Sequence, residues 1–324
     1  MNRFLSQAFF TSALIFLGSI NCVSAQSYPE KSIRLMVGYA PGGLTDGVAR
    51  TLAPQLTEIL GKQVVVENRG GGGSTIATDV VAKASADGYT LLMADQALIS
   101  NPSLFQNLPY DTLKDLQPVA LVGTAASVIV VNSAVPVRDL KSLIALAKSK
   151  PGTLNYASGG NGTMTHLAGE LFKQVARVDI VHVPYKGTGL AVVDLLGGQV
   201  PMMFSSIGPV AQYIKSGQLI ALAVTGDARS PALPNVPTLS ELGLAQATVI
   251  GYWGMMAPAG TPSEITEKLM KSINEVVKRP DVNQRLVSLG IEPAFATGAR
   301  YEKILSGEIP KWAQVIKFAN IKID

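Results

Sequence analysis

Apolar and polar residues follow two different periods in the first part of the chain. Short apolar runs, typical of buried strands, lie at residues 33–39, 64–66 and 89–93. Between these runs, apolar side chains recur every three or four residues at 45–60 and 75–83, which predicts two helices. The order strand–helix–strand–helix–strand predicts an α/β layer built on a parallel sheet.

The second part repeats this pattern after a long apolar run at residues 116–132. Further strands are predicted at 154–157, 180–183, 202–204 and 219–225. Helices are predicted at 140–148, around 167–172, at 189–196, from about 262 to 277 and, near the end, at 300–318. We interpret 116–132 and 249–256 as two crossings between two lobes. The first lobe would comprise residues 26–125 plus 250–324, and the second lobe residues 126–249. Two crossings form a hinge, and a ligand would lie between the lobes.

The composition is that of a globular protein with packed cores. The chain has 324 residues, of which 47% are hydrophobic and 15% charged, and its mean hydropathy is +0.28. This length agrees with two domains. The net charge of +4 is dispersed and no basic run carries interleaved aromatic residues, so we expect no nucleic-acid partner.

Residues 1–25 have the pattern of a cleaved signal peptide. Arg3 precedes an apolar stretch at 8–20, and small residues end the segment at Ala25. Cys22 is the only cysteine, and its preceding residues fit a lipidation signal poorly. A secreted mature chain without thiol chemistry is therefore expected, and no later stretch is apolar enough to span a membrane.

Two glycine-rich turns are the strongest candidates for a binding site. The first glycine loop is residues 37–46 and the second glycine loop is residues 156–163, and each lies between a predicted strand and a predicted helix. Backbone N–H groups at a helix start, with the positive end of the helix dipole, attract anions. Both turns could also be purely structural, but Ser158, Asn161 and Thr163 add neutral donors that favour a carboxylate.

Other glycine and charged positions leave alternatives open. Asp46 is expected to pair with Arg50 one helical turn later, although it could instead meet an amino group on the ligand. The glycine run 70–73 lacks the lysine of a phosphate loop and the acidic residue of a dinucleotide site, so we interpret it as a turn near the cleft.

The sequence contains little that suggests catalysis or metal binding. His166 could donate to a ligand or support the local structure, whereas His182 is expected in the core. Without clustered cysteines or carboxylates, two histidines make neither a metal site nor a cofactor site, and no nucleophile elbow is present. A triad of Ser158 and His166 with an acid has no support in spacing. Tyr185 could line the pocket or pack in the core, and Tyr252-Trp253 is expected to pack at the hinge.

The ordered set of motifs resembles the Bug family, the periplasmic solute-binding proteins of tripartite tricarboxylate transporters. The resemblance covers essentially all of the mature chain and implies a two-lobed periplasmic-binding-protein (Venus flytrap) architecture. It rests on residues 39–50, 66–73, 87–92, 155–170 and 183–187. It also implies that backbone amides and hydroxyls, with ordered water, hold the ligand carboxylates. Carried over to this sequence, the implied contacts are Tyr39, Gly42, Gly43, Leu44, Thr45 and Asp46, then Ser158, Gly159, Asn161, Gly162, Thr163 and His166.

The chain departs from the family pattern after its third strand. Relatives often place a histidine there, whereas this chain has Asp95-Gln96-Ala97. We expect Gln96 to face the distal half of the ligand. The second glycine loop also differs, with Ala157-Ser158-Gly159-Gly160 where many relatives have Ser-Ser-Gly.

The resemblance implies a monomeric, non-enzymatic protein of the periplasm that delivers a small carboxylate to membrane permease subunits. A dicarboxylate, an aromatic carboxylate and an amino acid all remain possible ligands. A sensor subunit that presents the ligand to a signalling receptor is the main alternative, and a periplasmic hydrolase is a weaker one.

Overall fold

The computed structural model describes residues 28–185, 187–318 and 321. The predicted signal peptide, Cys22 and Lys186 lie outside the described residues. Within them, one curled sheet of ten strands is covered by helices, and the fold is two-lobed α/β. The strands are β1 Ile33–Val37, β2 Val64–Asn68, β3 Thr90–Ala94, β4 Leu116–Asn132, β5 Asn155–Ser158, β6 Val181–Pro184, β7 Met202–Ser206, β8 Leu219–Val224, β9 Ile250–Pro258 and β10 Glu292–Thr297.

The sheet is mixed rather than wholly parallel. Strands β2, β1 and β3 are parallel neighbours, as are β6, β5 and β7. Strands β4 and β9 pair antiparallel with each other and lie between these two groups. The predicted parallel layer is thus present in each group, and the joining strands, which the sequence predicted only as crossings, pair antiparallel.

The long strand β4 belongs to both halves of the sheet. Its residues from Leu116 to Ala126 pair with β9, and those from Ser127 to Asn132 pair with β7 or β8. Near the change of partner, the Thr225 N–H donates to Ser127 O and the Val249 N–H donates to Thr225 O. These contacts hold the two connecting segments side by side, where the sequence predicted two crossings. The lobe boundaries stay a prediction.

Ten helices pack on this sheet among the described residues. They are α1 Leu44–Leu60, α2 Thr75–Ala82, α3 Ala97–Leu104, α4 Leu140–Ser149, α5 Met164–Ala176, α6 Thr188–Leu196, α7 Ile207–Lys215, α8 Ser263–Lys278, α9 Pro280–Leu289 and α10 Gly298–Phe318. Four short elements were not predicted from the sequence: α3, α7, α9 and β10. None of the helices in the described ranges is long and apolar enough to cross a membrane.

Helix α1 shows how the pattern produces the fold. Val48, Leu52 and Leu56 are buried at three- and four-residue spacing, so one face of the helix packs on the sheet. Gly61 ends the helix in a left-handed conformation that glycine adopts without strain. This packing fixes the start of α1, and with it the first glycine loop.

Candidate functional site

A cavity of about 610 Å³ lies where both glycine loops meet. Its volume is in the range usual for small-molecule sites. Ten of the residues predicted to contact ligand line it: Tyr39, Gly42, Gly43, Leu44, Thr45, Gln96, Gly159, Asn161, Gly162 and Thr163. Four others, Asp46, Ser158, His166 and Tyr185, do not belong to this lining and bond to protein groups instead.

The N-termini of five helices converge on the cavity. Its lining includes residues from the first turns of α1, α3, α5, α6 and α7, namely Leu44, Ala97, Met164, Thr188 and Gly208. N–H groups in a first helical turn have no acceptor within their own helix, and the helix dipole is positive at this end. Lys, Arg and His are absent from the described lining residues. An anion bound here would therefore be held by backbone dipoles rather than by a cationic side chain.

Asp46 holds the first glycine loop from behind. Its carboxylate accepts hydrogen bonds from the Gly42 N–H at 2.8 Å, Asn68 Nδ2 at 2.8 Å and Arg50 Nε at 3.0 Å. Burial alone would raise the pKa of Asp46, but the bonds from Arg50, Gly42 and Asn68 outweigh it and lower the pKa. The predicted pair of Asp46 and Arg50 is thus present. Because its oxygens are occupied in this way and it lies outside the cavity lining, we no longer expect Asp46 to touch ligand.

Asp46→Ala is expected to lower the free energy of unfolding by about 1–3 kcal/mol, because the Gly42 N–H and the Asn68 amide lose a buried carboxylate acceptor. The loop should also loosen, so solute affinity should fall with stability. Urea unfolding of the wild type and the variant measures the first effect. Equal unfolding free energies for the two proteins would contradict this role of Asp46.

The second glycine loop is fixed by its own hydroxyl and imidazole groups. Thr163 Oγ1 donates to Gly160 O at 2.7 Å, and the Gly159 N–H donates to Thr165 Oγ1 at 3.0 Å. The Gly162 N–H donates to His166 Nδ1 at 3.1 Å. Gly160 and Gly162 have φ of +130° and +72°, a region in which side chains are strained. The loop is therefore built before any ligand arrives.

The two histidines stack on each other behind this loop. Their ring centroids are 3.8 Å apart with planes at 9°, and His182 Nε2 lies 2.6 Å from Ser158 Oγ. Ser158 is fully buried, and His166 accepts from the loop, so neither is placed to attack or donate to a bound molecule. We therefore no longer expect Ser158 or His166 to contact ligand.

Acid should destabilise this protein through the stacked histidines. Burial, with the positive charge of Lys173, lowers the pKa of His166 to about 4. Burial, then the neighbouring His166, lowers the pKa of His182 to about 3. Unfolded histidines have a pKa near 6.5, so below that pH the unfolded chain binds more protons than the folded one. Stability is expected to be intact above pH 6.5 and to fall towards pH 4.

Urea unfolding at intervals from pH 7.5 to 5 measures this loss, because carboxylates titrate mainly below that window. The double variant His166→Gln and His182→Gln is the control and should show a flatter profile. The opposite sign, with the wild type gaining stability between pH 6.5 and 5, would contradict the expectation.

A hydrogen-bonded chain lines the cavity beside the first glycine loop. Trp253 Nε1 donates to Thr45 Oγ1 at 3.2 Å, and Thr45 Oγ1 donates to Asp95 Oδ2 at 2.6 Å. Asp95 Oδ1 also accepts from Tyr39 at 3.1 Å and from the Ala97 N–H at 3.0 Å. Trp253 was expected only to pack at the hinge, but it lines the cavity, because the side chains of β9 alternate between the faces of the sheet.

Gln96 is the least satisfied polar side chain at the site. It is 4% exposed, and within the described part of the chain neither Oε1 nor Nε2 has a hydrogen-bond partner. A buried amide without partners destabilises a fold, and buried polar groups in proteins are normally paired. Gln96 is therefore a strong candidate for a ligand contact.

Tyr185 and the glycine run 70–73 were both predicted as possible neighbours of the cavity, and only the glycine run reaches its lining. Tyr185 donates to Asp194 Oδ2 at 2.7 Å, and burial followed by that bond raises its pKa to about 12. Tyr185 is thus bonded to α6 and lies outside the cavity lining. Gly73, at the end of the glycine run, does line the cavity, and its carbonyl accepts from Asn101 Nδ2 at 2.8 Å. No group of three or more metal-ligating side chains occurs among the residues that the structure describes.

Comparisons with known proteins agree over nearly the whole chain. A family model described as tripartite tricarboxylate transporter family receptor (TctC) matches residues 48–321. Protein BugT of Bordetella pertussis is 40% identical over 303 residues, covering 93% of this chain and 93% of BugT. The structure of the periplasmic binding protein BugD has a TM-score of 0.79 at 36% identity, covering 91% of this chain and 99% of BugD. An R. palustris protein solved with adipate has a TM-score of 0.82 at 31% identity, covering 91% of this chain and 99% of its own.

Proposed function

This chain belongs to the tripartite tricarboxylate transporter receptor (TctC) family of solute-binding proteins, and from that premise we propose what it binds and where. It captures a small carboxylate-bearing solute in the cavity between its two lobes. It then delivers the solute to the membrane permease subunits of a tripartite transporter. Both steps take place in the periplasm, after cleavage of a signal peptide at residues 1–25.

The convergence of five helix N-termini on one cavity carries this proposal. Such N-termini bind carboxylates through backbone N–H groups, and each charge-assisted bond contributes about 1.5–3 kcal/mol. The similar protein solved with adipate supports a carboxylate ligand. A solute held mainly by backbone donors also fits the absence of Lys, Arg and His from the described lining.

A thermal-shift screen of residues 26–324 tests the proposal. The panel contains dicarboxylates, aromatic carboxylates and amino acids. A ligand that binds only the folded state raises Tm, so at least one compound should raise it in a concentration-dependent way. A panel without any such compound would overturn carboxylate capture. Uptake of the identified solute by cells with and without the permease genes then tests delivery, and uptake that does not need the permease would overturn that step.

Gly43→Val is expected to weaken solute binding at least about tenfold, because its side chain would separate the ligand from N–H groups that each contribute on the order of 1.5–3 kcal/mol. A Cβ at Gly43 meets only Ala40 O, at 3.7 Å, so the fold should accept the change. Isothermal titration with the solute found in the screen measures the loss. Gly307→Val, at an exposed position on α10 with no atom within 4 Å of the new Cβ, is the control. Equal affinities for the two variants would argue against the first glycine loop as a contact.

A further inference from the structure

Asp95 places a negative charge inside the cavity. It follows directly after β3, is 8% exposed and belongs to the cavity lining. Among the described lining residues, no other side chain is acidic or basic. A site that captures carboxylates through dipoles therefore also contains a buried carboxylate of its own.

Burial raises the pKa of Asp95, whereas the hydrogen bonds that it accepts from Thr45, Ala97 and Tyr39 act against this shift and favour the ionised form. The Ala97 N–H can only donate, so it needs Asp95 Oδ1 as an acceptor. The Trp253 indole N–H also can only donate, and it occupies a lone pair of Thr45 Oγ1. The hydroxyl proton of Thr45 is then directed at Asp95 Oδ2, 2.6 Å away. With Tyr39 as a third donor, the carboxylate accepts from three groups while losing contact with bulk water.

This charge discriminates between solutes. A second carboxylate on the ligand would meet Asp95 at close range in a partly desolvated cavity, where like charges repel strongly. A protonated amine would be attracted, and an ammonium group has three donors to place. Gln96 Oε1, buried and without a partner among the described residues, is an acceptor next to Asp95 in the chain.

From these contacts we infer that the solute is an amino carboxylate, whose carboxylate lies on the helix N-termini and whose ammonium group lies against Asp95 and Gln96. This inference rests on the proposed function and narrows its ligand class. Neutral donors on a ligand, such as hydroxyl groups, would leave the buried charge of Asp95 without an opposite charge. A dicarboxylate such as adipate would place a second negative charge close to Asp95.

Matched probes test the inference by isothermal titration of the wild type. Amino carboxylates (α-amino acids, and ω-amino acids from β-alanine to 6-aminohexanoate) are compared with dicarboxylates of equal carbon number. The best amino carboxylate is expected to bind at least about tenfold more tightly than its matched dicarboxylate, because Asp95 attracts the ammonium group and repels a second carboxylate. If the dicarboxylates bind more tightly, the inference is wrong while carboxylate capture stands. If neither series binds, the inference is wrong, and the proposed function fails only if the aromatic carboxylates of the screen do not bind either.

The variant Asp95→Asn identifies the residue responsible. It should weaken the amino carboxylate at least about tenfold and leave dicarboxylate affinity equal or higher, which a merely structural role would not produce. Asp139→Asn is the control, since Asp139 caps α4 far from the cavity and asparagine caps equally well. Unchanged selectivity in Asp95→Asn would overturn the inference. Lys186 precedes the lining residue Gly187 in the chain and lies outside the described residues. The variant Lys186→Met is therefore included in the titrations. Dicarboxylate binding that depends on Lys186 would also overturn the inference.

Discussion

Gln96→Leu is expected to stabilise the unliganded protein by about 1–3 kcal/mol and, at the same time, to weaken solute binding at least about tenfold. Both effects come from the same unpaired amide, whose removal helps the empty protein and harms ligand binding. A buried amide without partners costs stability in the empty protein, and that same amide is free to bond with a ligand. Leucine is close to glutamine in size and brings no polar atom that needs a partner.

The position of Gln96 makes this expectation specific. Both amide atoms are buried, and the residue lies at the start of α3 in the cavity lining. A glutamine that only supported the fold would show the reverse result, with stability lost on replacement. Burial with no bond therefore distinguishes a binding residue from a structural one.

Urea unfolding without ligand and isothermal titration with the identified solute measure the two effects. Gln314→Leu is the control, because Gln314 is exposed on α10 and the same change there should alter neither quantity by much. A drop in stability of Gln96→Leu, or full solute affinity, would contradict the assignment of Gln96 as a ligand contact.

Gly208→Val is expected to hold the two lobes apart and to reduce solute affinity at least about tenfold. Gly208 lies at the start of α7, in the predicted second lobe, against the end of α9, in the predicted first lobe. A Cβ at Gly208 would lie 3.1 Å from Leu289 O and 3.3 Å from Leu289 C, both of them backbone atoms. A Cβ at Gly290 would in turn lie 3.2 Å from Gly208 N. The two backbones thus meet so closely that a side chain at either glycine would be crowded.

The reduced affinity follows from population arithmetic. A ligand that contacts both lobes binds only the closed form, so its apparent affinity falls in proportion to the closed fraction. The free energy of unfolding should change little, because the new side chain is crowded at the contact between the lobes and not in the core of either lobe. Small-angle scattering should give a larger radius of gyration than for the wild type with solute present. Gly307→Val is again the control, and a compact, fully binding Gly208→Val protein would contradict the closure contact.

Local features of the site were predictable from the sequence. The pair of Asp46 and Arg50 follows from a four-residue separation on one helix, and both glycine loops follow from strand–glycine–helix order. Gln96 was found because the segment after β3 departs from the family pattern. Each of these inferences needs only neighbours in the chain or a familiar motif.

Contacts between distant segments were not predictable in this way. The hydrogen bond of Ser158 with His182 depends on β5 lying beside β6, and that of Thr45 with Trp253 joins residues 208 positions apart. Trp253 was expected to pack at the hinge, and Thr188 and Gly208 had no expected role, because nothing near them in the chain indicates the cavity.

By itself, then, the sequence determined the α/β elements, the two loops and the family pattern, because periodicity, glycine and helix starts act within a few residues. Which side chains meet depends on the three-dimensional fold. In the folded chain Asp46, Ser158 and His166 lie behind the loops, whereas Trp253, Thr45 and Asp95 lie together at the cavity. The physical reason is that a hydrogen bond depends on distance in space, and folding around the shared strand β4 sets that distance.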